Sequence, residues 1–207
     1  DGGIWGRNIE WGVTESLLVD GNRVFCTSGG SSVMVAALDR HSGKTIWKIK
    51  GNGETSGYCS PCLIQHGERR LLLTMTAKSF VGIDADTGEY LWCYSHVTDY
   101  DVNANTPLYH DGHVYILSGY GTGGQMFEIS EDGKSIKRVW SQGNLDSQMG
   151  AAVLVDGYVY GSGHQNRGWQ CLDWKTGKIQ YTAREIGNKG AIIFSDGMLY
   201  CYSERGD

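Results

Sequence analysis

A ten-residue motif that returns at a nearly constant interval constrains this chain more than any other feature. In its first two copies it runs from Leu38 to Trp47 and from Ile83 to Trp92, and shorter forms follow at 129–134 and 172–178. Its glycines are Gly43, Gly88, Gly133 and Gly177, at steps of 45, 45 and 44 residues. A second marker, a polar residue followed by glycine, keeps the same phase at Asp20-Gly21, His66-Gly67, Asp111-Gly112, Asp156-Gly157 and Asp196-Gly197. Two markers in phase indicate a structural repeat.

Each repeat contains the signals of four short strands. In the first one, apolar runs at 17–19, 24–27, 33–38 and 45–50 are separated by turn segments. Glycine in those turns can adopt the positive φ that a tight hairpin requires. The 31 glycines and two prolines of the chain also suit many strands and tight turns better than helices. Four antiparallel strands in about 45 residues predict an all-β fold, a β-propeller of four-stranded blades.

The repeat predicts about four and a half blades in one partial propeller, residues 1–207. Its blades are expected near 16–56, 57–102, 103–148 and 149–187, with an incomplete blade at 188–207. Residues Ile4 to Arg7, with Trp5, are expected to form the last strand of a preceding blade. A ring of seven or eight blades needs roughly 315–360 residues. The prediction is therefore a piece of a larger ring, which would meet the missing blades of its parent chain or self-associate.

Charge and hydropathy exclude two classes of partner. The net charge of −5 and the pI near 5.7 argue against nucleic acid, whose binding requires a basic surface. No run of eighteen apolar residues predicts a transmembrane segment, and no targeting signal is visible after Asp1.

Cys59 and Cys62 have the spacing of half a zinc site or of a redox pair. Because no second pair exists, we favour the alternative, in which the cysteines are small apolar residues of strands.

The motif Leu-Asp-x-x-Thr-Gly-Lys-x-x-Trp resembles the pyrroloquinoline-quinone (PQQ) repeat of quinoprotein dehydrogenases and of the outer-membrane assembly propeller lipoprotein. In that family the tryptophan packs between neighbouring blades, and Trp47 and Trp92 match it. The third repeat has Lys137 at this spacing with Trp140 three residues later, and the fourth has Tyr181. These departures weaken the assignment of an inter-blade tryptophan in the third and fourth repeats. The resemblance implies a bacterial protein of the cell envelope, periplasmic or secreted.

Equivalent positions in the repeats nominate candidate binding residues. The residues at the blade starts should line the central funnel, as a ligand site or as a polar channel wall; they are Glu15, Tyr58, Asn105, Gln148 and Lys189. Loops on a rigid scaffold commonly carry function. The predicted loops of the upper face contribute Tyr120, His164, Arg167 and Trp169, and Tyr100 is a further contact candidate. The loop containing His164 and Arg167 is interpreted either as an anion site or as a solvated loop.

Two functions are compatible with these residues. The favoured one is a non-catalytic scaffold that binds a protein or a glycan on its upper face, with no cofactor, no metal and no assigned catalytic residue. The alternative, implied by the resemblance, is a PQQ-dependent alcohol or sugar dehydrogenase. Members of that family hold the quinone over a tryptophan and under an adjacent Cys-Cys disulfide, with calcium bound by Glu, Asn and Asp. The chain has no adjacent cysteines, although Glu15 and Asn105 could be calcium ligands. A hydrolase or lyase on this scaffold lacks any supporting motif.

Overall fold

The computed structural model describes residues 10–187 and 189–206. The strand predicted at Ile4 to Arg7 and the residue Asn188 lie outside the described residues. Eighteen β-strands and one 3₁₀ turn, Asp99–Asp101, make up the regular structure of the described part. No helix in that part has the length and apolar character needed to cross a membrane.

The strands form antiparallel sheets in chain order. The first sheet contains β1 (Leu18–Asp20), β2 (Arg23–Cys26), β3 (Val35–Asp39) and β4 (Thr45–Ile49), and the second contains β5 (Cys62–His66), β6 (Arg69–Met75), β7 (Ser79–Asp84) and β8 (Tyr90–Ser95). The third contains β9 (Leu108–His110), β10 (His113–Ser118), β11 (Gly123–Ile129) and β12 (Ile136–Gln142). The fourth contains β13 (Ala152–Val155), β14 (Tyr158–Ser162), β15 (Trp169–Asp173) and β16 (Ile179–Ala183). A two-stranded sheet of β17 (Gly190–Ser195) and β18 (Met198–Ser203) follows.

Four sheets of four strands and one of two, each a meander, are blades of a β-propeller, and the all-β prediction is confirmed. The chain divides into two compact units. Unit 1 comprises residues 1–107 and 129–136, and unit 2 comprises 108–128 and 137–207. The two units are described separately below.

The turn between the third and fourth strands of a blade is built by the aspartate and glycine of the repeat. In the second sheet, Asp84 accepts hydrogen bonds from the backbone N–H and the hydroxyl of Thr87, each at 2.9 Å. The N–H of Gly88 donates to the carbonyl of Asp84 at 2.9 Å, and Gly88 has φ +77°. Asp39 with Ser42 and Asp173 with Thr176 repeat this arrangement. The sequence motif therefore marks a turn whose polar groups are internally satisfied.

In unit 1, two tryptophans join a blade to the turn of the following repeat, as predicted. Trp47 is 9 % exposed and donates from Nε1 to the carbonyl of Ala85 at 3.1 Å. Trp92 is 7 % exposed and donates in the same way to Gly133 at 3.2 Å. A Cβ atom at Gly82, which pairs with Trp92, would lie 2.1 Å from the indole ring, so only glycine leaves room for it. The prediction that Trp47 and Trp92 are buried is confirmed.

Unit 2 has a tryptophan in the same role, although the sequence spacing argued against it. Trp140 donates from Nε1 to the carbonyl of Trp174 at 3.2 Å, and its ring packs over Gly177. Trp140 stands seven positions after Gly133, whereas the tryptophans of the first two repeats stand four positions after their glycines, so the third tryptophan comes three residues later than the motif predicts. Tyr181, at the corresponding position of the fourth blade, is 53 % exposed. The weakened assignment was thus wrong for the third blade.

Candidate functional site

A buried carboxylate in unit 2 organises the richest polar cluster of the described chain. Asp146 follows β12 and is completely buried. Its Oδ1 accepts the backbone N–H groups of His164 at 2.9 Å and Asn166 at 3.2 Å. Its Oδ2 accepts those of Gly121 and Gln165, both at 2.9 Å. Four N–H donors thus compensate one buried charge, which would otherwise be very costly in this environment.

Asp146 holds together two loops of adjacent blades, residues 119–124 and 163–168, which we call the Asp146 loops. The first connects β10 to β11 and the second connects β14 to β15. Both loops need residues with unusual backbone conformations, including Tyr120 with φ +58° and Gly168 with φ +118°. The 119–124 loop is therefore tied to its neighbour by hydrogen bonds to a single side chain.

Four of the sequence-predicted candidates lie together beside these loops. The Tyr120 ring meets the His164 ring edge-on, with centroids 4.7 Å apart, and the Tyr120 N–H donates to His164 Nδ1 at 3.1 Å. Gln148 donates from Nε2 to the Tyr120 hydroxyl at 2.7 Å and accepts from Lys189 Nζ at 3.3 Å. Lys189 also forms an ion pair with Glu204 at 3.3 Å. A continuous polar network therefore connects the inter-blade position 148 to both Asp146 loops.

His164, the histidine of this network, is a neutral hydrogen-bond donor. Burial, followed by the positive charge of Lys189, lowers the pKa of His164 below its usual value. Because Nδ1 accepts the Tyr120 N–H, the neutral ring carries its proton on Nε2. The arrangement can bind polar or anionic groups.

The sequence model that describes outer membrane protein assembly factor BamB matches residues 2–207. The chain belongs to this family of PQQ-type repeats. A search of curated protein sequences found no match.

Two solved structures have a fold similar to that of this chain. One is quinohaemoprotein alcohol dehydrogenase from Comamonas testosteroni, with a TM-score of 0.60 and 17 % identity; the match covers 92 % of this chain and 39 % of that one. Another is Hsv2p from Kluyveromyces lactis, with a TM-score of 0.57 and 10 % identity, covering 94 % of this chain and 60 % of that one. At these identities the likeness concerns the fold alone. The chain spans less than two thirds of either structure.

The BamB-family relationship raises the question of a quinone and calcium, and the funnel candidates of unit 1 do not fit that role. Both carboxylate oxygens of Glu15 accept the backbone N–H of Thr27, at 2.8 and 3.1 Å. Burial raises the pKa of Glu15, although these hydrogen bonds oppose the effect. Asn105 is 2 % exposed, and its backbone carbonyl accepts the Cys59 thiol at 3.5 Å. Among the described residues, no cluster of three or more His, Cys, Asp or Glu side chains is arranged to hold a metal ion.

Two other candidates, Tyr58 and Trp169, make contacts within the fold. Tyr58 has φ +71°, pairs with Asn103 in a parallel bridge, and places its ring 5.8 Å from that of Trp11. Trp169 was expected in an exposed loop, but it is the first residue of β15 and 4 % exposed, with Nε1 donating to the carbonyl of Ile186 at 2.8 Å. This expectation was wrong because the strand begins earlier than the loop prediction assumed. Its ring therefore offers little surface to a partner.

The Cys59–Cys62 pair is also accounted for by packing. The Cys62 thiol contacts the carbonyl of Pro107 at 3.6 Å, as Cys59 contacts that of Asn105. Burial raises the pKa of both thiols to about 12, which keeps them protonated at neutral pH. All six cysteines lie in the described part of the chain, and none forms a disulfide.

Three residues near this site in unit 2 were not predicted from the sequence: Asp146, Glu204 and Arg205. Asp146 lies outside both repeat motifs, and an aspartate in a polar loop gives no sign that it is buried. Glu204 and Arg205 follow β18, where the repeat offers no equivalent residues for comparison. Their position relative to Lys189 follows from the backbone bond between Glu204 N–H and the carbonyl of Lys189, at 2.9 Å.

Proposed function

We propose that this chain is a non-catalytic propeller domain that binds a protein partner through the Asp146 loops. The single observation that carries the proposal is the set of four backbone hydrogen bonds to Asp146. Loops held in one conformation before binding lose less conformational entropy when a partner docks. A propeller surface built in this way suits recognition.

The groups that these loops present are polar and accessible. Gln165, Asn166 and Arg167 are exposed at the tip of the second loop, with Tyr120 half-buried beside them. Amide and guanidinium groups give directional hydrogen bonds to backbone and carboxylate groups of a protein. The family's description as an outer membrane protein assembly factor favours a protein over a glycan as the partner. It also supports a periplasmic or secreted location.

The enzymatic alternative has less support from the residues. Glu15, Asn105, Gln148 and Lys189 would have to give up existing hydrogen bonds or burial to hold a quinone and calcium. The likeness to an alcohol dehydrogenase concerns the fold and carries no ligand set. We therefore place the scaffold role ahead of a dehydrogenase.

Site-specific photocrosslinking tests this proposal. A photoreactive amino acid would replace Gln165 or Asn166 in cells of the native host, with Lys178, an exposed residue of unit 2 outside these loops, as the control position. We expect one discrete protein adduct from positions 165 and 166, competed away by excess unmodified chain, and none from 178. The adduct should weaken when Asp146→Asn is added. Adducts of equal yield at all three positions, or none at 165 and 166, would refute a partner site here.

A further inference from the structure

A small cavity next to the Asp146 loops has an unusual lining for an acidic protein. Its volume is about 260 Å³, and it is lined by His164, Arg167, Lys189, Glu204 and Arg205. We call it the cationic cleft. Ligand sites for whole organic molecules generally have about 300–1,000 Å³. The cationic cleft therefore matches a single functional group better than a complete cofactor.

The charges of the cationic cleft are not balanced. Three cationic side chains face one carboxylate, Glu204, and that carboxylate is paired with Lys189 at 3.3 Å. Arg167 and Arg205 form no ion pair with any described residue. The chain as a whole carries a net charge of −5, so two unpaired guanidinium groups in one cavity stand out against an acidic background.

His164 adds an uncharged donor to the same cavity. Its Nδ1 accepts from the Tyr120 N–H at 3.1 Å, so the Nε2–H of the neutral ring is left without a partner among the described residues. Lys189 is fixed from two sides, by Gln148 at 3.3 Å and by Glu204. The cleft thus combines two free guanidinium forks, a positioned ammonium group and an imidazole N–H.

From this arrangement we infer that the cationic cleft binds one oxyanion group, a carboxylate or a phosphate, carried by the protein partner. The inference rests on the proposed function, because it supplies the chemistry that a partner presents to the Asp146 loops. Arginine forks match the paired oxygens of carboxylate and phosphate and bind them through charge-assisted hydrogen bonds. Arg167 belongs both to the second Asp146 loop and to the cleft, and connects the two sites.

NMR titration of the intact chain with small anions tests the inference directly. The arginine Nε–H signals would be followed during addition of sodium acetate in one series and sodium phosphate in another, with sodium chloride at equal ionic strength as the reference. We expect saturable shifts of Arg167 and Arg205 with a Kd on the order of 10 mM for at least one of the two anions. Saturation by acetate identifies a carboxylate, and saturation by phosphate identifies a phosphate.

Variants make the result specific to the cationic cleft. Arg167→Gln and Arg205→Gln should each weaken anion binding about fivefold or more, whereas Lys178→Gln, the same loss of charge on an exposed hairpin, should leave it unchanged. Shifts that stay linear and equal those in chloride, or a Kd that neither arginine variant alters, would overturn the inference. If crosslinking from Gln165 persists while anion binding is absent, the inference fails and the proposed function stands; the reverse pattern overturns the proposed function.

Discussion

At the scale of single residues, Asp146 determines how two loops of unit 2 are held. Its carboxylate is the shared acceptor for Gly121, His164, Gln165 and Asn166. The Tyr120–His164 pair adds a ring contact and one hydrogen bond between the same loops. Because bonds to a buried charge are stronger than neutral ones, most of the loop order should depend on this residue.

Replacing Asp146 with asparagine keeps the size of the side chain but turns one oxygen into a donor, which in either orientation faces two of the four N–H groups. We expect amide hydrogen exchange at positions 121, 164, 165 and 166 to accelerate about tenfold or more, which corresponds to about 1.4 kcal/mol. Exchange at Gly177, in a turn of the same unit, is the internal control. Unchanged exchange at the four amides would mean that the loops are ordered by other contacts.

The turn aspartates lead to a prediction about pH. The Thr176 hydroxyl and, to a lesser extent, the Thr176 N–H hold the pKa of Asp173 below its usual value. A carboxyl group with a lower pKa in the folded state stabilises the fold above the pKa of the unfolded chain, about 3.9, and this contribution disappears as pH falls through the folded-state value. The stabilisation is therefore present at neutral pH and lost in strong acid.

Urea unfolding of the wild type and of Asp173→Asn measures this contribution. We expect the wild type to be more stable at pH 7 and the difference between the two to shrink below about pH 4. Thr176→Val, which removes the hydroxyl and leaves the backbone donor, should remove part of the pH dependence. A stability difference that is the same at about pH 3 and pH 7 would contradict the role given to the Asp173 carboxylate.

At the scale of elements, one tryptophan in each of the first three blades contacts the turn of the following repeat. Trp92, a residue of β8, donates to the carbonyl of Gly133 in the 129–136 segment of unit 1. Its ring packs against that of Phe80, with centroids 4.9 Å apart. Trp92→Ala should lower the free energy of unfolding by about 3–5 kcal/mol, because a large buried ring leaves a cavity. Chemical denaturation measures the loss. Trp11→Ala, at a ring that is half exposed, is the control and should cost about 1 kcal/mol or less. A similarly small loss for Trp92→Ala would exclude its role between blades.

Some features of these elements could be predicted from the sequence, and others could not. The turns were predictable because Asp, Ser or Thr, and Gly at fixed spacing satisfy a local requirement within six residues. The role of Trp140 was not predictable, because three more residues separate it from the glycine of its repeat, which changes the spacing without changing the contact. The role of Asp146 was not predictable either, because its four hydrogen-bond partners come from two loops that are distant in sequence. Trp169 was misplaced because glycine-rich polar segments do not indicate where the following strand begins.

At the scale of the whole molecule, the repeat specifies a propeller, and the family match over residues 2–207 agrees with it. The number of blades in the complete ring and the blade boundaries stay predictions, as does association with missing blades or with a second copy. The candidate site was partly predictable: Gln148 and Lys189 were nominated from equivalent positions of the repeat, Tyr120 and His164 from predicted loops, and all four lie in one network. The residue that holds the network in place was not among them.

The central claim is that this propeller serves as a scaffold for binding and not as a quinoprotein enzyme. Titration of the chain with pyrroloquinoline quinone in the presence of Ca²⁺, followed by the absorbance of the bound quinone, tests that claim most directly. We predict no saturable complex tighter than about 1 μM, because Glu15 and Asn105 are already committed to the fold. A one-to-one complex tighter than about 1 μM that is lost in Glu15→Ala or Asn105→Ala would contradict the claim.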